Sequence, residues 1–254
     1  MHPTRARFPF RWLVLFPVVA LLPSPAALAG YFSVALVPSH SEGDYGTGTS
    51  TTIDYVPLVL KYRDEQLSVK LTVPYLSIST AATATSAKTT DSGLGDVWFE
   101  TRYRTALGRT GVDLVPYAKL KFGTASYAKY LGTGENDYEA GLGMEWSMGR
   151  SFYPFVTAGY RVVGNPPGAN LHNIATYDGG VTYAASVSHS FTVMLAGQQA
   201  QSQSAVTPSP APEDLWFTWN YRARGGIGLQ AFYAHGLSTG SPTHTIGAGI
   251  EKRF

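Results

Sequence analysis

The chain has 254 residues, enough for one large domain or one membrane barrel, and it contains no cysteine, which excludes disulfides, thiolate metal sites and a cysteine nucleophile. Charged residues make up only 14% of the chain, against about 25% in ordinary soluble domains, while glycine and tyrosine are abundant at 27 and 16. This composition is typical of a transmembrane barrel, whose strands alternate apolar residues for lipid with polar or small residues for the lumen.

The first predicted element is an export signal over residues 1–29. Its positively charged region holds three arginines, Arg5, Arg7 and Arg11. An apolar stretch follows over 12–22, and the Ala-Leu-Ala of 27–29 matches the small-x-small pattern of a cleavage site. The alternative is a membrane anchor, but this apolar stretch is too short to cross a hydrocarbon core of about 30 Å comfortably.

Removal of the signal changes the charge of the protein. Of the 19 Lys and Arg residues three lie in the signal, whereas none of the 17 Asp and Glu residues do, so the mature protein has a predicted net charge of −1. The basic balance therefore belongs to the precursor, and no nucleic-acid partner is predicted.

After residue 30 the dominant pattern is an alternation of period two, which predicts strands rather than helices. Between Val97 and Arg104, for example, apolar and small side chains alternate with Trp98 and charged residues. Marking every such run predicts about twelve strands, each near the length that a tilted membrane strand needs. Their approximate spans are 30–38, 52–62, 66–76, 95–105, 112–122, 136–147, 152–163, 174–186, 190–199, 214–224, 226–236 and 243–254.

The connections between these strands alternate between long and short. Long loops such as 77–94 and 200–213 are rich in Ser, Thr and Pro, whereas short turns such as 63–65 suit tight hairpins. This alternation is typical of outer-membrane barrels, with long extracellular loops and short periplasmic turns. The sequence therefore predicts an all-β, transmembrane antiparallel up-and-down β-barrel over residues 30–254, in the outer membrane of a Gram-negative bacterium.

A soluble β-sandwich is the alternative, and the C-terminus argues against it. The chain ends on an alternating strand whose last residue is Phe254. This ending resembles the C-terminal signature that the barrel assembly machinery recognises. The predicted partners are therefore that machinery, the lipid bilayer with its lipopolysaccharide, and a small-molecule solute.

If the apolar faces meet lipid, the opposite faces carry ten charged residues into the lumen. Both signs are present on neighbouring strands, so cross-strand ion pairs are expected. The pairs either brace and fill the lumen or form a constriction that selects solutes by charge and size. The predicted pore-lining residues are Lys70, Glu100, Arg102, Lys119, Lys121, Asp137, Glu139, Glu145, Arg161 and Arg222.

Two glycine-rich motifs stand beside these strands. One is Ser92-Gly93-Leu94-Gly95-Asp96, and the other runs from Leu131 through Gly132 and Gly134 to Asp137, after a Phe-Gly-Thr at 122–124. The pattern resembles the outer-membrane transporters of the "MetA-pathway of phenol degradation" family. The resemblance implies a barrel associated with passage of aromatic or other hydrophobic compounds.

Without the family, both motifs are interpreted as structural turns. Gly93 to Asp96 is a tight entry from a loop into a strand, where Asp96 would bond nearby backbone N–H groups. The segment from Gly132 to Asp137 is a loop return. Neither motif lies between a strand and a helix, so a nucleotide site is not predicted, and no cofactor is expected.

The first functional hypothesis is a passive channel for small, apolar or aromatic solutes. A structural or adhesive barrel is the alternative, with the loops 77–94 and 200–213 as contact surfaces. An enzyme acting on lipids would need an activated serine, and His189 between Ser188 and Ser190 is the candidate base. No catalytic site is predicted, because His40 and His172 fall in loops away from such a serine. A metal site at His235 and His244, which face each other across a hairpin, is also weighed and not predicted.

Overall fold

The structure of the protein, a computed structural model, describes residues 30–203 and 208–254. The export signal predicted over 1–29 therefore lies outside the described residues. Within the described part of the chain no helix is long and apolar enough to cross a membrane.

The described residues form seventeen strand segments. They are β1 (Tyr31–Leu36), β2 (Ser39–Gly43), β3 (Thr51–Arg63), β4 (Leu67–Thr80), β5 (Thr89–Leu94), β6 (Val97–Tyr103), β7 (Thr105–Ala106), β8 (Val112–Phe122), β9 (Asp137–Trp146), β10 (Phe152–Val162), β11 (Ile174–Ala184), β12 (His189–Gln198), β13 (Ser202–Gln203), β14 (Pro208–Ser209), β15 (Glu213–Arg222), β16 (Ile227–Gly236) and β17 (His244–Arg253). Single 3-10 turns lie at Tyr127–Lys129 and Arg224–Gly226.

These segments build one closed barrel of twelve antiparallel strands, which confirms the predicted fold class. Each barrel strand pairs with its neighbour in sequence, and the last, β17, pairs with β1 and β2 to seal the cylinder. Two barrel strands are interrupted: β1 and β2 form one, and β5, β6 and β7 form another. Closure satisfies every ladder without a free edge, which a lipid-exposed sheet requires. The short β13 and β14 pair separately.

The barrel extends further beyond the apolar belt than predicted. The predicted loop 39–51 contains β2, and the predicted loop 77–94 contains β5 and the end of β4. These boundaries were wrong because the extensions are rich in Ser and Thr, which form good ladders without an apolar face, such as the pairs Thr51–Thr80 and Thr80–Thr89. The remaining strands lie within two or three residues of their predicted spans.

The outside of the barrel is apolar and the inside is polar. On β1, Phe32 is 64% exposed, whereas its inward neighbour Ser33 is 3% exposed. The same inversion of a soluble core recurs around the cylinder, where large apolar side chains such as Leu58, Val156 and Ile250 point outward and remain exposed. An apolar belt of this extent is stable only against lipid.

The short turn between β3 and β4 is fixed by the side chain of Asp64. The carboxylate of Asp64 accepts hydrogen bonds from the backbone N–H of Leu67 at 2.6 Å and of Gln66 at 2.8 Å, and Oη of Tyr62 donates to it at 3.2 Å. These donors, led by the Leu67 N–H, hold the pKa of Asp64 below its usual value of 3.8. The turn therefore depends on an ionised aspartate.

Candidate functional site

The strand registers place all ten predicted lumen residues on inward faces. Lys70 lies opposite Glu100, Glu100 opposite Lys119, and Lys119 opposite Glu139, so one row of charges crosses four adjacent strands. Glu139 in turn lies opposite Arg161 on β10. Because residues paired in register share a face, the inward side of β4 to β10 forms one continuous surface, which we call the charged wall.

Glu139 is the centre of the charged wall. Its side chain is fully buried, and its carboxylate lies 3.2 Å from Nζ of Lys119 and 2.7 Å from Nη2 of Arg161. It also accepts hydrogen bonds from Oη of Tyr117 at 2.9 Å and Oγ1 of Thr176 at 3.2 Å. The carboxylate is thus saturated, which a buried charge needs if its desolvation cost is to be offset.

Arg161 fixes the far end of this cluster. Its Nη1 donates to Oε1 of Gln198 at 3.2 Å, and its guanidinium lies 5.2 Å from the ring centroid of Trp98. Stacking on an indole holds a planar guanidinium in place and adds about 0.5–2 kcal/mol. Arg161 therefore connects Glu139 to Gln198 and Trp98 on the inward face.

A second ion cluster surrounds Glu100. Its carboxylate lies 2.9 Å from Nζ of Lys70 and 2.6 Å from Nε of Arg102. The guanidinium of Arg102 also lies 5.4 Å from the ring centroid of Tyr117, which connects this cluster to that of Glu139. Lys119 faces Glu100 in register but makes its salt bridge with Glu139.

Glu145 pairs with a residue outside the predicted set. Its carboxylate bonds Nη2 of Arg104, whose Nη1 also lies 3.8 Å from Asp113. Arg104 lies between β6 and β7 and was left out of the predicted set, although it shares the alternating face of Glu100 and Arg102. That alternation was the available signal.

At the extracellular end, Asp96, Lys121 and Asp137 form a buried cluster. Nζ of Lys121 lies 2.9 Å from Asp137 and 3.6 Å from Asp96, and it donates to Oγ1 of Thr133 at 2.7 Å. Asp137 also accepts from the backbone N–H of Gly164 at 2.9 Å. The cluster therefore ties two extracellular loops to the barrel wall.

The interpretation of Asp96 as a local turn residue was wrong. Its carboxylate accepts from the backbone N–H of Ala125 at 3.0 Å and of Thr133 at 3.2 Å, which belong to a different loop. Since Asp96 precedes Trp98 on the inward face, loop 123–135 is held on the lumen side of the wall. Sequence separations of 29 and 37 residues hid this contact.

The motif glycines make this close approach possible. A Cβ on Gly132 would lie 2.4 Å from Oδ2 of Asp96, and one on Gly95 would lie 2.7 Å from Leu76. Gly93, at φ +156°, lies within β5 rather than in a loop, and a Cβ there would lie 2.9 Å from Leu131. Gly134 has φ +65°, a left-handed conformation that suits the predicted loop return.

The other side of the lumen carries few charges, and we call it the thin wall. It is the inward face of β11, β12, β15, β16, β17 and β1, where glycine, alanine and threonine are frequent. Three large apolar side chains also point inward, those of Met194, Trp216 and Phe232. Met194 pairs in register with Trp216, and the Trp216 ring lies 5.4 Å from that of Phe232. The expectation that apolar side chains meet lipid missed these residues.

A cavity of about 680 Å³ lies beside the thin wall, at the end where the short turns and the C-terminus meet. Ser190, Asn220, Gln230 and Gly249 line it from adjacent strands. Arg222, the last of the ten predicted residues, also lines this cavity and is exposed.

His189 lies on the outward face of β12. The ring of His189 lies among Trp219 and Tyr221, and its Nδ1 accepts from Trp219 Nε1 at 3.2 Å. Ser190, the next residue, points to the opposite face, so these two cannot act as nucleophile and base.

His235 and His244 are paired in register on the outer face. Within the described ranges 30–203 and 208–254, no group of three or more His, Asp and Glu residues could hold a metal ion. Contrary to the prediction, His40 lies in a strand and bonds Asp54 at 2.7 Å.

Phe254 points outward at the end of β17. Its side chain is 76% exposed, and its backbone N–H donates to the carbonyl of Phe32 at 2.9 Å. The ring therefore contributes little packing to the barrel.

Comparison with known proteins establishes the fold. The chain is similar to the COG4313 outer membrane channel from Pseudomonas putida F1, with a TM-score of 0.74 at 15% identity over 91% of this chain and 100% of that one. The KdgM porin in complex with disordered oligogalacturonate gives 0.56 at 8% identity, over 87% and 99%. The NanC porin gives 0.53 at 14% identity, over 87% and 100%. This is the barrel fold of outer-membrane channels. No protein-family model and no curated protein sequence matches the chain.

Proposed function

We propose that the protein is a passive channel in the outer membrane of a Gram-negative bacterium, and that small solutes with apolar or aromatic parts diffuse through it. The observation that carries the proposal is the closed barrel with an apolar belt outside and two unlike walls inside. A barrel whose only task is anchoring needs no such interior.

The two walls of the lumen have different properties. On the charged wall, Glu139 and Glu100 neutralise the cations around them, so these side chains brace one another and stay in place. On the thin wall, the ring of Phe232 lies directly over Gly247, where a Cβ would be 2.3 Å from it, and beside the ring of Trp216. Apolar faces next to fixed charges suit a solute that is partly apolar and partly polar.

The likeness to solved channels supports this proposal, since three outer-membrane channels and porins share the fold over most of this chain. The glycine motifs around Asp96 and Gly132 support the finer proposal that the chain is related to the "MetA-pathway of phenol degradation" transporters. We further propose that the bilayer with its lipopolysaccharide surrounds the belt, that the barrel assembly machinery inserts the chain, and that the protein is not an enzyme.

Flux through liposomes tests the channel. Gln230 points into the cavity from β16, and its neighbour Ala231 points outward. Gln230→Trp places an indole in the path and should reduce the entry of phenyl glucoside, an aromatic solute that the bilayer itself excludes, at least about threefold, whereas the matched Ala231→Trp adds the same ring on the lipid side and should not.

Two results would refute the channel. One is wild-type flux no faster than that of protein-free liposomes for phenyl glucoside, glycerol and chloride. The other is equal flux through both tryptophan variants, which would place the path outside the lumen.

A further inference from the structure

The cavity at the periplasmic end of the thin wall has an excess of positive charge. Four cationic side chains line it, and Glu251 is its one acidic lining residue. The cations are Lys61, Arg150, Arg222 and Arg253. Since the lining lies entirely within the described ranges, this imbalance belongs to the cavity itself.

Glu251 already forms a salt bridge with Arg253. Its carboxylate lies 3.0 Å from Nη2 of Arg253 and 3.4 Å from Nε of the same residue. Among the described residues, the side chains of Lys61, Arg150 and Arg222 have no carboxylate within 4.0 Å. Three cations therefore face the cavity without a salt bridge.

This arrangement differs from that of the charged wall. On the charged wall, cations such as Lys119 and Arg161 have carboxylate partners within 3.2 Å. Lys61 instead lies opposite Lys70 in register, where a like charge is unfavourable. Glu251 attracts Lys61 but already forms a salt bridge with Arg253, so the charge of Lys61 is only partly offset within the protein, which is typical of a position kept for a ligand.

The same cavity has apolar lining. Val37, Val59 and the ring of Tyr153 contribute to it, together with Ala35 and Ala184. Its volume of about 680 Å³ is within the range of small-molecule sites. The cavity thus presents free cations beside apolar surface.

We propose that this cavity binds organic anions, namely carboxylates that carry an apolar or aromatic body. The proposal deepens the proposed function, on which it rests, by giving the channel a preference for anionic over neutral solutes of equal size. The carboxylate is attracted by Lys61 and Arg222, and the body packs on Val37, Val59 and Tyr153. Because the cavity is wet, the attraction is that of charges in water, and each cation changes affinity by about three- to fivefold.

Two measurements on the full-length mature barrel test the proposal. The first is binding of benzoate and of neutral benzyl alcohol to detergent-solubilised protein, by saturation-transfer NMR. The second is the reversal potential in planar bilayers under a KCl gradient. Wild-type protein should bind benzoate at least fivefold more tightly than benzyl alcohol and should favour chloride over potassium.

The double variant Lys61→Gln, Arg222→Gln removes two free cations. It should lose benzoate binding about tenfold and shift the reversal potential towards zero, with little change for benzyl alcohol. The matched control is Arg109→Gln, which removes a cation from a turn at the same end that does not line the cavity, and it should change neither quantity. Heat-modifiable migration in gels shows whether each variant is folded.

The outcomes separate this inference from the channel itself. Benzoate binding without conductance or flux would support the anion site and refute the channel. Conductance with equal binding of both ligands, or with no effect of the double variant, would refute the anion site and leave the channel standing.

Discussion

Neutralising Glu139 should destabilise the barrel more than any other single loss of charge on the charged wall. Glu139→Gln keeps the shape of the side chain but leaves Lys119 and Arg161 without the carboxylate that they share at 3.2 and 2.7 Å. It also replaces one acceptor oxygen by an NH2 donor: if Oε1 keeps the bonds donated by Tyr117 and Thr176, the NH2 faces Arg161, which is itself a donor.

The magnitude follows from the burial of the partners. Removing one member of a fully buried ion pair costs about 3–5 kcal/mol, because an uncompensated charge remains. The side chains of Lys119 and Arg161 are 22% and 14% exposed, and lumen water screens part of the loss. We therefore expect the free energy of unfolding to fall by about 2–3 kcal/mol.

Denaturant unfolding in lipid vesicles, followed by tryptophan fluorescence, measures this change. Glu65→Gln is the control, because Glu65 is exposed in a short turn, and a surface change of this kind should cost less than about 0.5 kcal/mol. Adding Lys119→Met to Glu139→Gln should restore at least about 1 kcal/mol, since it removes one of the stranded charges. If Glu139→Gln costs no more than Glu65→Gln, the charged wall does not stabilise the barrel as argued.

Two further predictions concern the ends of the barrel. Because the pKa of Asp64 is lower in the folded than in the unfolded protein, its stabilisation is present above the unfolded-state pKa and is lost as the pH falls through the folded-state pKa. Asp64→Ala should therefore lower the free energy of unfolding in vesicles by about 1 kcal/mol at pH 7. A loss of the same size at pH 2 would contradict this. Because the ring of Phe254 is exposed while its N–H bonds Phe32, Phe254→Ala should refold in detergent like wild type yet reduce the folded barrel in cells severalfold, and equal loss in both assays would show a structural role instead.

Much of the lumen followed from alternation alone. Once Val97 to Tyr103 is a strand with lipid on one side, Glu100 and Arg102 must face the lumen, because side chains alternate strictly along a strand. The same reasoning placed Lys119 and Glu139 on the inward face of neighbouring strands. Which of these charges meet could not be derived in the same way, because salt bridges depend on register and on side-chain reach.

The contacts of Glu145 and Asp96 show this limit. Strand order suggested that Glu145 would meet the lysines of β8, but the structure pairs it with Arg104, two strands away. Asp96 was expected to bond its own turn, and it instead holds the backbone of loop 123–135. Neither contact follows from the spacing of residues along one strand, because both depend on where loops and long side chains lie inside the closed barrel.

The sequence by itself determined that the chain forms strands, how many the barrel has, and which side of each faces inward, because these depend on a period of two and on local turn chemistry. Tertiary structure alone decided that the lumen has a charged wall and a thin wall, with a cationic cavity beside the latter. Closure brings β1 against β17, and residues that line the same cavity, such as Lys61 and Arg222, are far apart in sequence. Their proximity is a property of the cylinder, and no segment of the chain encodes it on its own.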